Sequence, residues 1–362
     1  MDLKETLQRF MLLPAPSGYE KEMAYALKDA MAPYADEVSI DRIGNTIARF
    51  SGTDKNAPAV MIYAHMDQLG FIVRKIEEDG FIQLDRLGGI PEKVLPGLNL
   101  MIRSEDGAYH PGVIGTKSHH ATPAEEKYKV EPITSLYIDI GAVSAGEVKE
   151  KGIEAGCPAV YRPSFQSLSR DMICGTAADD RGGCACLVYI ASKLKSLKLK
   201  PDVYLVGTVW EEFNLRGAMM AARTVKPDIA ICLDVVLPGD TPDLKSKYDT
   251  KLGGGPAVTL YTFHGRGTLN GTIAHEGLRD LALRTAREQG ITLQRFAALG
   301  ILTDSSYLQL EGRGVASLEL GYPTRYTHTP VETCDINDIR GLGDLAAGIV
   351  DRIGSGFNLN RY

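Results

Sequence analysis

The sequence predicts an α/β protein: a mostly parallel central sheet with helices on both faces, and a small β-barrel or sandwich inserted into it. Three observations predict it. Apolar runs such as PAVMIYAHMD and PDVYLVGTVWEE end abruptly in polar residues, as buried strands do where they leave a sheet. Helix-period segments alternate with those runs, the order that gives parallel strands covered on both sides. Between about residues 70 and 163 the texture changes to short β-type runs broken by Asp-Gly and Gly-Gly turns. The chain therefore divides into a first part of the α/β domain over 1–69, an inserted β domain over 70–163, and the rest of the α/β domain over 164–362. A chain of 362 residues exceeds what one hydrophobic core usually supports, in keeping with two domains.

The opening stretch, MDLKETLQRFMLLPAPSGYE, places Leu3, Leu7 and Phe10 on one face of an amphipathic helix. Acids in its first turn, with no basic start and no small-residue cleavage site, argue against a signal peptide. PAVMIYAHMD is a core strand that stops at His65 and Asp67. FIVRKIEEDGFIQLDRLGGI, NLMIRSEDGAYHPGVIG and SLYIDIGAV supply the barrel strands, with PAEEKYKV as the one charged piece of helical character. GTAADDRGGCACL sets Asp179 and Asp180 before a glycine pair and the helix CACLVYIASKLKSL. Two acids there read most simply as a cap complementing the helix dipole. PDVYLVGTVWEE ends in Glu211 and Glu212, and RGAMMAARTV follows as a helix. PDIAICLDVV carries Asp234 towards its end. AHEGLRDLALRTAREQG is helical, GVASLELGYPTRYTHTPVE leaves a strand for a loop holding His328, and DINDIRGLGDLAAGIVDRI closes the chain as a helix. The tail GSGFNLNRY is expected to fray, and no repeat or low-complexity segment interrupts the pattern.

Composition narrows the function. A hydrophobic content of 44% and a charged content of 24% are those of an ordinary globular protein. A net charge of −6 argues against a nucleic-acid partner, and no run is long enough to cross a membrane. The cysteines at 157, 174, 184, 186, 232 and 334 follow no disulfide spacing; Cys184 and Cys186 read as small core residues, and the compartment as cytoplasm.

The chemistry gathers at strand ends. In parallel sheets, function collects beyond the carboxyl ends of the strands. His65, Glu211, Glu212, Asp234 and His328 all fall there, and Asp179 precedes a helix. Oxygen and imidazole donors without thiolate suit zinc, cobalt or manganese. Two cations side by side need a bridging carboxylate and a shared water. Adjacent glutamates on an extended strand point in opposite directions, so one is free to hold a metal while the other moves a proton.

AHMDQLGF, ADDRGG, EEFNLRGA, CLDV and RYTHTPVE, in that order, resemble the M42 family of metallo-aminopeptidases. These are the tetrahedral aminopeptidases, including glutamyl aminopeptidases and proteins labelled endoglucanase M. The likeness runs from PAPSGYE to the last helix and implies a zinc-peptidase-like fold with the inserted domain serving assembly and access. It implies two divalent metal ions, zinc foremost and cobalt or manganese next. Asp179 would bridge them, with an Asp179–Asp180 peptide in the cis form. His65 and Asp234 would complete one shell, Glu212 and His328 the other. Asp67 would hydrogen-bond His65, and Glu211 would be the general base and then the acid. The implied partners are short peptide substrates and further copies of the chain, as dimers built into a tetrahedral dodecamer. Gln68-Leu69, Asn214 and Ser305-Ser306 depart from the family's usual pattern without removing a ligand. A glycine is usual where Asn214 stands, so Asn214 is expected at positive φ. KLGGGPAVTL resembles a family pocket loop and is expected near substrate.

His119-His120 read as a surface loop, and His110, His264 and His275 as structural or exposed. Two other functions compete with a peptidase. A glycoside hydrolase uses two carboxylates across a sugar ring and has no use for His65 and His328. A non-catalytic assembly protein on the same fold would not keep a full set of ligands and a base.

Overall fold

The computed structural model describes residues 1–265 and 269–361. Among these residues, twelve strands form one large sheet, and six more close into a barrel. The centre of the sheet is parallel: Val203–Thr208, Val60–His65, Ile229–Val236 and Ala316–Arg325 lie side by side in that order. Antiparallel strands extend it on both flanks, through Thr46–Phe50 on one side and Glu332–Asp335 and Met172–Gly175 on the other.

Alternation along these strands feeds two cores. Ile62, Ala64, Leu205, Ile231 and Leu233 face the helices Leu3–Met11, Lys21–Met31, Ala178–Leu194, Glu276–Gln289 and Ile336–Arg352. Met61, Tyr63, Val206, Ala230 and Cys232 face the opposite way and pack on Ala218, Ala221 and Ala222 of Gly217–Val225. Helices thus cover both faces of a strand set too apolar to meet water on either. Cys184 and Cys186 are fully buried in the first core, and all six cysteines are free.

The barrel strands are Gly70–Ile76, Ile82–Leu87, Asn99–Arg103, Tyr109–Ile114, Tyr137–Asp139 and Pro158–Tyr161. Their inward residues, among them Phe71, Leu84, Leu100, Ile102 and Ile138, form a separate core. PAEEKYKV forms turns rather than a helix, while Ala145–Glu150 is a short helix capped by Ser144. His119 and His120 are exposed on a single 3-10 turn.

Two expectations fail here for local reasons. The tail is tied down as far as Leu359, with Tyr362 outside the described residues: Phe357 packs on the main core, and Leu359 O accepts a hydrogen bond from His275 Nε2 at 3.2 Å. The glycines of KLGGGPAVTL do not line the cavity described below. Two of their amides are spent on the Asp338 carboxylate, with Gly253 N at 2.8 Å and Gly255 N at 2.7 Å, so the loop is tied to the first turn of the last helix.

Candidate metal centre

Each core strand delivers one polar side chain to a common point. His65 is the last residue of its strand and pairs in register with Thr208, three residues before Glu211. Asp234 sits within Ile229–Val236, and His328 follows the end of Ala316–Arg325. Asp179 arrives from the helix start, where Asp179–Asp180 is a cis peptide and Ala177 has φ 58°. The two aspartates divide their work. Asp180 accepts the Gly183 amide at 2.9 Å and the Tyr322 hydroxyl at 2.9 Å, which is the capping role, and leaves the Asp179 carboxylate to the site.

Two triads result. His65, Asp179 and Asp234 each offer a ligand atom, all within 4.8 Å of one another, and so do Asp179, Glu212 and His328. Asp179 belongs to both: its Oδ1 lies 3.1 Å from His65 Nε2, and its Oδ2 lies 3.8 Å from His328 Nε2. His328 Nε2 is also 3.8 Å from Glu212 Oε1. Separations of this size between a carboxylate and an imidazole leave room for a cation touching both, and the donor set of imidazole and carboxylate fits zinc, cobalt or manganese.

Electrostatics point the same way. Burial pushes Glu212 up to about 7, with Asp179 adding to the rise and His328 opposing it. Burial likewise pushes Glu211 and Asp234 well above the usual carboxylate range, His65 pulling each back and neighbouring acids driving each up. Burial disfavours a charged His328, yet Glu212 and Asp179 outweigh it and raise the imidazole to about 9. Buried carboxylates this close to one another favour a shared cation or a proton over bare charge.

Buried groups around the centre fix these side chains. Asp67, fully buried, accepts the Glu211 amide on Oδ1 and the Glu212 amide on Oδ2, each at 3.0 Å. Burial alone would raise its proton affinity, but the nearby His65 ring, the Ser17 hydroxyl and the Glu211 amide hold it below its ordinary value. His65 Nδ1 reaches the main-chain oxygen of Asp67 at 3.1 Å, whereas the nearer carboxylate oxygen stands off at 3.6 Å. The contact expected from the carboxylate is therefore made by the backbone. Arg181, also fully buried, braces the same turn from behind, donating to Met66 O, Leu13 O and Gln68 Oε1.

Two participants escape sequence reasoning. Glu332 is buried, and its carboxylate takes the Asp179 amide at 3.0 Å and the His328 amide at 2.8 Å, tying two ligand candidates to one group. It lies inside RYTHTPVE, but a lone acid there carries no local sign that it faces two amides. His264, read as structural or exposed, lines the cavity instead.

That cavity measures about 870 Å³. His65, Asp179, Glu211, Glu212, Asp234 and His328 form its floor; Leu215, Leu237, Ile301 and Leu302 form apolar walls, and Arg86 reaches in from the barrel. A volume of this kind accommodates a few residues of peptide, not a folded chain.

Comparison with known proteins agrees with this geometry. A family model described as M42 glutamyl aminopeptidase matches residues 44–345. The Escherichia coli (strain K12) protein SgcX, which carries an aminopeptidase name, is 38% identical over 337 residues, 93% of this chain and 90% of that one. Aminopeptidase APDkam598 from the archaeon Desulfurococcus kamchatkensis superposes with a TM-score of 0.91 at 33% identity, covering 98% of this chain and 96% of that chain. The Pyrococcus horikoshii TET1 peptidase, which can assemble into a tetrahedron or a large octahedral shell, superposes at 0.84 with 28% identity, over 96% of this chain and 99% of that chain. With the match spanning the sheet, the barrel and every strand end that carries the site, the chain belongs to the M42 glutamyl aminopeptidase family.

Proposed function

We propose that the protein is a dinuclear metallo-aminopeptidase that removes N-terminal residues from short peptides, with Glu211 carrying the proton. The observation that supports this most directly is the pair of three-residue groups sharing Asp179. His65 and Asp234 would hold one divalent cation, Glu212 and His328 the other, and Asp179 both. Zinc is the foremost candidate, with cobalt or manganese as alternatives. Bound there, the cations supply Lewis-acid polarisation of the scissile carbonyl and of the attacking water.

The remaining work belongs to the chain. Glu211 lies in the cavity floor, belongs to neither triad, and has the raised proton affinity that suits a general base. It takes one proton from the water as the C–O bond forms, then gives it to the amine nitrogen as the C–N bond breaks. Asp67 keeps Glu211 and Glu212 in place by their amides. The free α-amine of a substrate meets carboxylates rather than a neutral wall, which favours exopeptidase over endopeptidase action.

Copies of the chain would associate through the inserted domain into dimers and then a dodecamer enclosing the cavities, so that only small or unfolded peptides enter. Six free and buried cysteines suit a reducing cytoplasm. Release of nitroaniline from aminoacyl-nitroanilides, with no reducing sugar from cellulose and no cleavage of an N-acetylated peptide at its first bond, is the expected result. Cleavage of the blocked peptide overturns the exopeptidase reading, and a strictly monomeric species of full activity by light scattering overturns the assembly.

A further inference from the structure

Residues 14–20, PAPSGYE, lie beneath the two glutamates, and several contacts join them to the site. Pro16 bridges to Gln68, whose amide donates to Ala15 O at 3.0 Å and whose side chain accepts the Ala15 amide at 3.2 Å. The Ser17 hydroxyl donates to Asp67 Oδ2 at 2.6 Å, the same oxygen that accepts the Glu212 amide. Glu20 Oε1 takes the Gly18 amide at 2.8 Å and the Trp210 amide at 3.3 Å. Ser17 and Glu20 are both buried. Gly18, at φ +87°, turns the chain under the indole; a Cβ there would stand 3.9 Å from Trp210 Nε1.

The segment receiving these contacts is strained. Trp210, Asn214 and Leu215 have φ of 61°, 74° and 58°, a region that side-chain-bearing residues rarely adopt. Each such residue costs on the order of 1–3 kcal/mol and persists only where its surroundings over-determine it. The amides from 209 to 212 show how: Val209 is held by Asn45 Oδ1 at 3.0 Å, Trp210 by Glu20, and Glu211 and Glu212 by Asp67. Residues 14–20 supply one of those acceptors outright. They also supply the side-chain donor that orients Asp67, through a short charge-assisted bond of the stronger kind.

We propose that Ser17 and Glu20 are positioning residues for the reaction: together they form a strap that sets Glu211 and Glu212 through the Asp67 carboxylate and the Trp210 amide. The proposal rests on the reading of Glu211 as proton carrier, but the strap has its own reporter. Trp210 is the single tryptophan of the chain and sits immediately before the pair.

Ser17→Ala, Ser17→Thr and Glu20→Gln are compared with the natural protein, each loaded with metal. The readouts are kcat and KM on an aminoacyl-nitroanilide, bound metal by elemental analysis, and the emission of Trp210. Ser17→Ala is expected to lower kcat about ten-fold with KM little changed, since small displacements of catalytic groups cost rate rather than binding. Metal content stays at the natural level, Trp210 emission shifts, and Ser17→Thr recovers most of both because it keeps the hydroxyl. Glu20→Gln, which retains an acceptor of the same shape, shows the smaller change in kcat and emission.

A Ser17→Ala protein with natural kcat and unshifted Trp210 emission overturns the strap. So does a loss of rate that merely follows loss of metal or of folded protein, or one that Ser17→Thr does not restore. If the natural protein releases no nitroaniline at all, it is the peptidase reading that falls, and Trp210 emission alone then decides whether the strap exists.

Discussion

His328 Nδ1 lies 2.7 Å from the main-chain oxygen of Gly89, so a ligand candidate of the α/β unit is steered by a residue of the inserted segment. With Nδ1 donating there, Nε2 is the nitrogen left to face Asp179 and Glu212. The barrel therefore does more than sit beside the cavity: it sets the tautomer and tilt of the ring.

Gly89→Ala tests that link. A Cβ at Gly89 would stand 3.2 Å from His328 Nδ1 and 3.4 Å from Cε1, close enough to push the ring by a few tenths of an ångström. Metal affinity is expected to fall about ten-fold, the lower end for disturbing a group that orients a metal ligand. Gly356→Ala, where a Cβ meets nothing within 4 Å, serves as the silent control. Calorimetric metal titration of the two variants reads the difference directly.

Glu211→Gln should abolish turnover with both metals still bound, because it removes a proton acceptor that belongs to neither ligand group. Asp179→Asn should do the reverse first, stripping metal, since one carboxylate serves both triads. Elemental analysis beside kcat separates the two. A Glu211→Gln protein that keeps more than a few per cent of its rate, or purifies without metal, would reverse the roles of the adjacent glutamates.

The crowded acids make the metal-free protein sensitive to pH in a definite direction. Glu212, raised to about 7, and His328, raised to about 9, both hold protons more tightly folded than unfolded. Stability from such groups is fully present below their unfolded values and is lost as pH rises through the folded ones. Chelated protein should therefore lose Tm between about pH 5 and 9. Metal-loaded protein gains over the same window, because protons and cations compete for the same oxygens and nitrogens. Thermal scans at pH 5, 7 and 9, with and without chelator, should show the gap widening. A constant gap would mean the cations bind elsewhere.

The strand ends were legible because a polar residue closing a long apolar run has few structural explanations. His65, Glu211, Asp234 and His328 stood out for that reason, and so did the change of texture at the barrel. Glu332 did not, since a lone acid normally means water, and only the fold shows that it faces two amides. KLGGGPAVTL misled because a glycine run permits close backbone approach without saying to what; here it closes on Asp338. His264 was hidden by topology, since the residues around it do not say which strands lie beside its own. Which strands meet to close the barrel was equally out of reach, since a register such as Phe71 with Ala159 is not encoded by local pattern.

Asn214 offers the sharpest test of a local departure from the family's pattern. Its φ is 74°, and the cavity wall passes through it and Leu215. Asparagine enters the left-handed region more readily than most residues because its short amide can bond locally, and glycine enters it freely. Asn214→Gly should therefore change kcat little. Asn214→Val places a β-branched side chain where it is a genuine outlier, at a cost of about 1–3 kcal/mol. Relief is available only by moving the turn, and the Leu215 amide already donates to Glu211 O at 2.8 Å within it. The strain is thus delivered to Glu211 itself, so Asn214→Val should lower kcat and Tm together with metal content unchanged. If valine leaves kcat at the natural level while Tm falls, the turn yields on its solvent side and does not govern the glutamate.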